Sequence, residues 1–143
     1  MTQSPSGPRR GGLLRVLMGT ALFIALLIFG TGMASLLTET DVITAPTFGQ
    51  IPGVIGVFVA TGAFVATIAP PVLRGNPRYS AAVWAALACY VGYLAGIFVA
   101  ATLGGADPAL AASVVGRLAT FWYGPIVAIA AALAAIGVVA ITQ

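Results

Sequence analysis

The sequence has few of the residues on which most protein chemistry depends. It contains no histidine and no lysine, a single cysteine (Cys89) and three carboxylates (Glu39, Asp41 and Asp107). Metal sites built from cysteine and histidine, and disulfides within the chain, are therefore excluded. Acid–base catalysis would have to depend on three carboxylates in all. This composition predicts a protein that is not an enzyme and that holds no cofactor.

Charge is scarce along the whole chain, and apolar residues take its place. Charged residues make up 6% of the 143 residues, against about 25% in soluble domains. Hydrophobic residues make up 60%, and the mean hydropathy is +1.09. A soluble fold of this length would expose a large apolar surface to water. The composition therefore excludes a lone soluble domain.

Four segments are long and apolar enough to cross a bilayer, which takes about 20 mostly apolar residues. They cover residues 13–37, 51–73, 80–103 and 118–141. Every charged residue lies in a tail, a connector or the outermost turn of a span, as expected where a charge at mid-bilayer costs at least ~2.5 kcal/mol. We predict an all-α membrane protein with a bundle of four transmembrane helices in residues 13–143, after a flexible tail at residues 1–12.

The arginines predict how this bundle is oriented. Five of the six lie before or at the start of the first span, or between the second and third spans: Arg9, Arg10, Arg15, Arg74 and Arg78. The sixth, Arg117, lies in the third connector. Because basic residues mark the cytoplasmic side, both termini are expected in the cytoplasm of a bacterial cell, with the spans in its plasma membrane.

The first span has a second interpretation. Its basic start and the triplet Gly32-Met33-Ala34 also fit a signal peptide with a cleavage site. The apolar run from Leu13 to Gly32 is longer than the 7–15 residues typical of such a peptide, which favours a retained span.

Proline and glycine mark the connectors. Gly75-Asn76-Pro77 predicts a turn, and Pro70-Pro71 predicts that the second helix ends or bends there. Asp107-Pro108 is typical of a helix cap followed by the first helical residue. The apolar spacing that follows predicts a short amphipathic helix at residues 108–120, on the outer membrane surface. The alternative is one long helix that bends at Pro125.

Small residues repeat at helical spacing on the spans. The third span has Ala88, Gly92, Gly96 and Ala100, the fourth has Gly124, Ala128 and Ala132, and the second has Gly56 with Ala60 and Gly62 with Ala66. Such stripes let helices approach closely. They predict either packing within the four-helix bundle or a docking face for a partner protein or a second copy.

Polar residues at membrane depth are few. Tyr90 and Tyr93 lie near the middle of the third span, and Thr61 lies within the second. Their hydroxyls need partners in a hydrocarbon environment. They either line a small polar pocket or bond to helix carbonyls.

The chain resembles small four-span membrane proteins of unknown function from high-GC Gram-positive bacteria. The resemblance depends on the short arginine-bearing tail, on a connector in which Asp41-Val42-Ile43 leads to Gly49 and Pro52, and on basic residues that are all arginine. It implies a membrane location and no particular activity.

Two functions follow as hypotheses. The first is a non-catalytic structural or accessory subunit, whose partners are the lipid bilayer and another membrane protein or a second copy, with no nucleic acid. The second is a small oligomeric channel or transporter for an ion or small solute, in which Thr61, Tyr90 and Tyr93 line a polar route.

Overall fold

The computed structural model describes residues 7–38, 51–76 and 78–142, and the described chain is helical with no strand. Its helices are α1 (Gly7–Thr38), α2 (Ile51–Leu73), α3 (Ser80–Leu103), α4 (Pro108–Thr120) and α5 (Tyr123–Thr142). The first connector, with Glu39 and Asp41, lies outside the described residues, as does Pro77 of the predicted turn.

Four of these helices are long and apolar enough to cross a membrane: α1, α2, α3 and α5. This confirms the predicted four-span helical architecture, with a short helix before the fourth span. Helix α1 begins at Gly7, so the end of the segment predicted as a flexible tail is helical.

The four long helices run up and down through one bundle. A Cβ placed on Gly12, near the start of α1, would lie 3.2 Å from Leu73 Cδ2 at the end of α2. At the other end of α1, a Cβ on Gly30 would lie 2.8 Å from Ile126 Cγ2 near the start of α5. Helix α1 contacts α2 and α5, and α3 contacts the same two helices, with the most extensive packing between α2 and α3.

The core is made of side chains that recur every turn of the spans. On α2 every fourth residue is buried: Pro52, Gly56, Ala60, Phe64, Ile68 and Val72. Phe64 stacks on Phe23 of α1, with ring centroids 4.9 Å apart and both residues fully buried. Helix α5 contributes four alanines: Ala130, Ala131, Ala134 and Ala135. Small side chains on α5 keep the helices close together.

Glycines at positive φ end α2 and α3 in the same way. Gly75 has φ +69° and Gly105 has φ +89°. After each glycine, the next residue donates its N–H to a carbonyl five residues back, as in Asn76 to Pro71 at 3.1 Å. This pattern closes the helix by satisfying carbonyls that the helix itself leaves free. Helix α2 continues through both prolines to Leu73 before this cap, so it does not end at Pro70-Pro71, and its bounds match the span predicted at residues 51–73.

The cap of α4 agrees with the sequence. The Asp107 carboxylate accepts a 2.9 Å hydrogen bond from the Ala109 N–H, and Pro108 is the first helical residue. Helix α4 ends at Thr120, where Phe121 adopts an extended conformation with ψ 167°. The break between α4 and α5 therefore falls at Phe121 and Trp122 and not at Pro125, which lies in the first turn of α5.

Candidate functional site

The small-residue stripe of α3 contacts α2 at its two glycines. A Cβ on Gly96 would lie 3.1 Å from both Gly56 Cα and Val59 Cβ, so the two backbones meet at this point. One turn earlier, a Cβ on Gly92 would lie 3.4 Å from Ala63 Cβ, an ordinary contact distance. Ala88 and Ala100, which extend the stripe at both ends, are half-buried. The closest approach of α2 and α3 is therefore centred on Gly96.

The small residues of α5 contact a different part of the bundle. A Cβ on Gly124 would lie 2.9 Å from Tyr90 Cε2 and 3.0 Å from the Leu118 carbonyl oxygen. Ala128, one turn further along α5, is half-buried. The stripes predicted on α3 and α5 thus do not pack against each other through their glycines. Gly92 and Gly96 face α2, whereas Gly124 contacts the Tyr90 ring.

Helix α2 has one small pair inside the bundle and one outside. Gly56 and Ala60 are buried, and a Cβ on Gly56 would lie 2.8 Å from Ile97 Cγ1. Gly62 and Ala66 are exposed, and nothing lies within 4 Å of a Cβ built on Gly62. They share an outward ridge with two larger exposed residues, so that the ridge consists of Phe58, Gly62, Ala66 and Pro70. We call these four residues the outer ridge of α2.

The threonine hydroxyls within the spans are satisfied locally. Thr61 Oγ1 donates to the Val57 carbonyl of its own helix at 2.9 Å. Thr20, Thr31, Thr67 and Thr102 bond in the same way to carbonyls three or four residues earlier. Such bonds need no partner from another helix.

Tyr90 makes a polar contact between elements. Its hydroxyl donates to the Ala119 carbonyl in the last turn of α4 at 3.1 Å. The last four carbonyls of a helix have no partner within the helix, so Tyr90 satisfies one that would otherwise be free. Its ring packs on Gly124 of α5. One side chain of α3 therefore contacts both helices on either side of the Phe121–Trp122 break.

Tyr93 faces another side of α3. It is 5% exposed, and a Cβ on Gly56 of α2 would lie 3.1 Å from its Cδ2 atom. Nearby, the Cys89 thiol contacts the Ala60 carbonyl of α2 at 3.4 Å. Tyr93 thus packs towards α2 whereas Tyr90 packs towards α4 and α5. The three residues proposed for a polar pocket are directed to different neighbours.

The described arginines lie exposed near one end of the bundle, apart from Arg117 on α4. Arg15 is near the start of α1, and Arg74 and Arg78 lie between α2 and α3. Helix α1 also contains Arg9 and Arg10 in its first turn. Asp107, the carboxylate in the described chain, lies at the opposite end, between α3 and α4.

An apolar groove at the Trp122 end of the bundle was not predicted from the sequence. It has a volume of about 390 Å³ and lies between α1 and the start of α5, lined by Gly30, Met33, Ala34, Leu37, Trp122 and Ile126. Gly30 and Ala34 are four residues apart on α1, the same small-residue spacing that was noted on the other spans. The spacing of Gly30 and Ala34 is the feature of the sequence from which this groove could have been predicted.

The chemistry open to these groups is limited. Within residues 7–38, 51–76 and 78–142, no three His, Cys, Asp or Glu side chains come together as metal ligands. Over the same residues, every buried side-chain nitrogen or oxygen has a hydrogen-bond partner. The geometry of the described bundle is therefore that of close helix packing, in which the threonine hydroxyls of the spans and the Tyr90 hydroxyl bond to backbone carbonyls.

A protein-family model described as a family of unknown function, DUF6121, matches residues 9–143. No curated protein is significantly similar to the chain, and no solved structure is either.

Proposed function

This chain belongs to the DUF6121 family of unknown function. We propose that it is a non-catalytic structural or accessory subunit of a membrane-protein assembly. In this role it packs, through its spans, against a partner membrane protein or a second copy of itself. The outer ridge of α2 is the observation that carries the proposal.

The outer ridge suits helix association because it combines small residues with exposure. Gly62 and Ala66 lie between the larger Phe58 and Pro70, and all four are exposed. The outward positions of α3 instead include Val83, Leu87, Val91 and Val99, which are more than half exposed. Helix interfaces in membranes are enriched in small residues because these let backbones approach closely. The ridge on α2 therefore offers a place for another helix.

The alternative function, a small oligomeric channel or transporter, has less support. A polar route needs side chains that are available to a solute. The Thr61 hydroxyl bonds to Val57, and the Tyr90 hydroxyl bonds to Ala119. Both are already engaged with backbone carbonyls on different helices.

We further propose that the membrane is the plasma membrane of a high-GC Gram-positive bacterium, with both termini in the cytoplasm. The supporting observations are that every basic residue is arginine and that Arg15, Arg74 and Arg78 lie at one end of the bundle. Basic residues are retained on the cytoplasmic side.

Association is tested by purification in several mild detergents, followed by mass measurement of the intact complex. We expect a defined oligomer or a stoichiometric partner. Gly62→Leu places a branched side chain on the outer ridge and should weaken that association, because it holds the incoming helix away. The matched control is Ala95→Leu, which adds a leucine at an exposed position of α3. A clean monomer without partner in every detergent would refute the proposal, and so would equal effects of the two variants.

Orientation is tested by labelling single cysteines from either side of the membrane. With Cys89 replaced, cysteines at Thr47 and Asn76 should react from opposite sides, and Asn76 from the cytoplasmic side. Reaction of both from one side would contradict the four-span topology. Reaction of Asn76 from outside would reverse the orientation.

A further inference from the structure

Arginines that are far apart in the sequence come together at one end of the bundle. Gly12 of α1 packs on Leu73 of α2, where a Cβ on Gly12 would lie 3.2 Å from Leu73 Cδ2. Arg15 is one turn after Gly12, and Arg74 follows Leu73 directly. Arg78 lies two residues before α3 begins. The antiparallel packing of α1 on α2 therefore adds the two arginines of the α2–α3 connector to those at the start of α1.

We propose that this arginine end, defined as Arg9, Arg10, Arg15, Arg74 and Arg78, binds the phosphate groups of anionic phospholipids. Clusters of four to eight basic residues next to a membrane span are typical of such binding. The start of α1 contributes three arginines and the α2–α3 connector two, so neither segment reaches four. The contact of Gly12 with Leu73 brings these two segments, with five arginines between them, to the same end of the bundle.

The arginine end has no competing carboxylate in the described chain. Arg15, Arg74 and Arg78 are exposed, and no ion pair joins any of them to a described side chain. Asp107 is at the opposite end and accepts the Ala109 N–H as the cap of α4. The guanidinium groups of Arg15, Arg74 and Arg78 are therefore available to an external anion, and each carries five fixed donors.

Aromatic residues place the arginine end at the depth of the lipid headgroups. Tyr79 directly follows Arg78 and is 52% exposed, and Trp84, in the second turn of α3, is 66% exposed. Tyrosine and tryptophan are enriched at the membrane–water interface. Arginine beside them reaches the headgroup phosphates with its charged group while its stem lies against hydrocarbon.

The two tryptophans allow a direct test, because each reports on one end of the bundle. Trp84 lies beside the arginine end and Trp122 at the other end, and both are 66% exposed. Trp122→Phe leaves Trp84 as the reporter, and Trp84→Phe leaves Trp122. Each variant is reconstituted into phosphatidylcholine vesicles of two kinds. One kind contains phosphatidylglycerol that carries a nitroxide near its headgroup, and the other contains phosphatidylcholine labelled in the same way. Quenching then measures the lipid next to each tryptophan.

We expect labelled phosphatidylglycerol to associate with the Trp84 end about fivefold more strongly than labelled phosphatidylcholine, as for one arginine contact near an anionic surface. The preference at Trp122 should be near one. The double variant Arg74→Gln/Arg78→Gln should lower the Trp84 preference towards that value, and Arg74→Lys/Arg78→Lys should retain most of it. Arg117→Gln, at the other end, should leave it unchanged. Equal preference at both ends, or an equal effect of Arg117→Gln, would overturn the proposal.

Salt provides a second measurement on the chain with all its arginines. Raising ionic strength from about 0.1 M to about 1 M shortens the screening length from ~10 Å to ~3 Å and should remove most of the preference. A preference that is insensitive to salt would contradict the proposal. If inorganic phosphate displaces the lipid more than chloride does at equal ionic strength, the arginines serve a soluble phosphate instead, which would also overturn the lipid assignment.

Discussion

Helix α2 has two pairs of small residues with identical spacing, and the bundle buries one pair and exposes the other. Gly56 and Ala60 are buried against α3, whereas Gly62 and Ala66 face outward. Six residues separate Gly56 from Gly62, which is a rotation of about 240° at 100° per residue. The two pairs therefore lie on different sides of the helix. The spacing of small residues therefore predicts a close approach of two helices only after the inward face of the helix is known.

The inner side of α2 is constrained by backbone atoms. Gly96 of α3 lies over Gly56, and a Cβ on Gly96 would be 3.1 Å from Gly56 Cα. A side chain can change its rotamer to relieve such a contact, but a backbone atom in a packed helix pair moves only with its helix. The outer side has no such constraint, since the space beside Gly62 is open within 4 Å.

The largest effect that separates the two sides should come from Gly96→Ala. The added methyl forces α2 and α3 apart, and we expect the free energy of unfolding to fall by about 1–3 kcal/mol, as in overpacked cores. Titration of the purified protein from mild detergent into SDS measures this change.

Gly92→Ala is the matched control for Gly96→Ala. It adds the same methyl one turn earlier on α3, where the nearest atom would lie at an ordinary 3.4 Å. We expect its free energy of unfolding to stay within about 0.5 kcal/mol of that of the parent chain. If the two variants destabilise equally, contact with the Gly56 backbone is not the cause.

An intermediate loss in the free energy of unfolding is expected for Tyr90→Phe, which tests the polar contact on the other side of α3. The variant removes the hydrogen bond to Ala119 but keeps the ring on Gly124. Hydrogen bonds between membrane helices average about 0.6 kcal/mol, with a maximum near 1.7. We expect a loss in this range, together with faster alkylation of a cysteine placed at Ser113 on α4 in a Cys89→Ala chain.

Thr102→Val is the control for Tyr90→Phe. It also removes one hydroxyl from α3, but the Thr102 hydroxyl bonds only to the carbonyls of Phe98 and Val99 in its own helix. The reactivity at Ser113 should then be unchanged. Equal acceleration in both variants would show that Tyr90 does not hold α4 against the bundle.

The smallest effect is expected for Gly62→Ala on the outer side of α2. Nothing in the described part of the chain lies within 4 Å of the new methyl, so the free energy of unfolding of the monomer should change by no more than about 0.5 kcal/mol. The same SDS titration measures it. A loss as large as that of Gly96→Ala would mean that the outer ridge is packed within the isolated chain, and the contrast between the two sides would fail.

The four spans could be predicted from the sequence because hydrocarbon imposes a simple rule. Each segment must be apolar over a length that crosses the bilayer, and charges must lie near its ends. The cap at Asp107 was also predictable, since carboxylate capping is a local interaction between residues close in sequence.

The break between α4 and α5 shows where local rules fail. Pro125 was the sequence signal for a bend, but a proline in the first turn of a helix lacks only an N–H that has no helical partner. The structure instead breaks the chain at Phe121, with Tyr90 of α3 bonded to the end of α4. That contact joins residues 29 positions apart, so local signals did not reveal it.

Composition and the length of the apolar runs were enough to predict a four-span helical membrane protein with few groups for chemistry, because both are set residue by residue. Only the packing of the helices showed which glycines contact another backbone, which small pair faces outward, and that Arg15 lies at the same end of the bundle as Arg74 and Arg78. These properties depend on the rotation and direction of each helix relative to its neighbours. The packing of the whole bundle sets the rotation and direction of each helix, so they cannot be read from any single segment of the sequence.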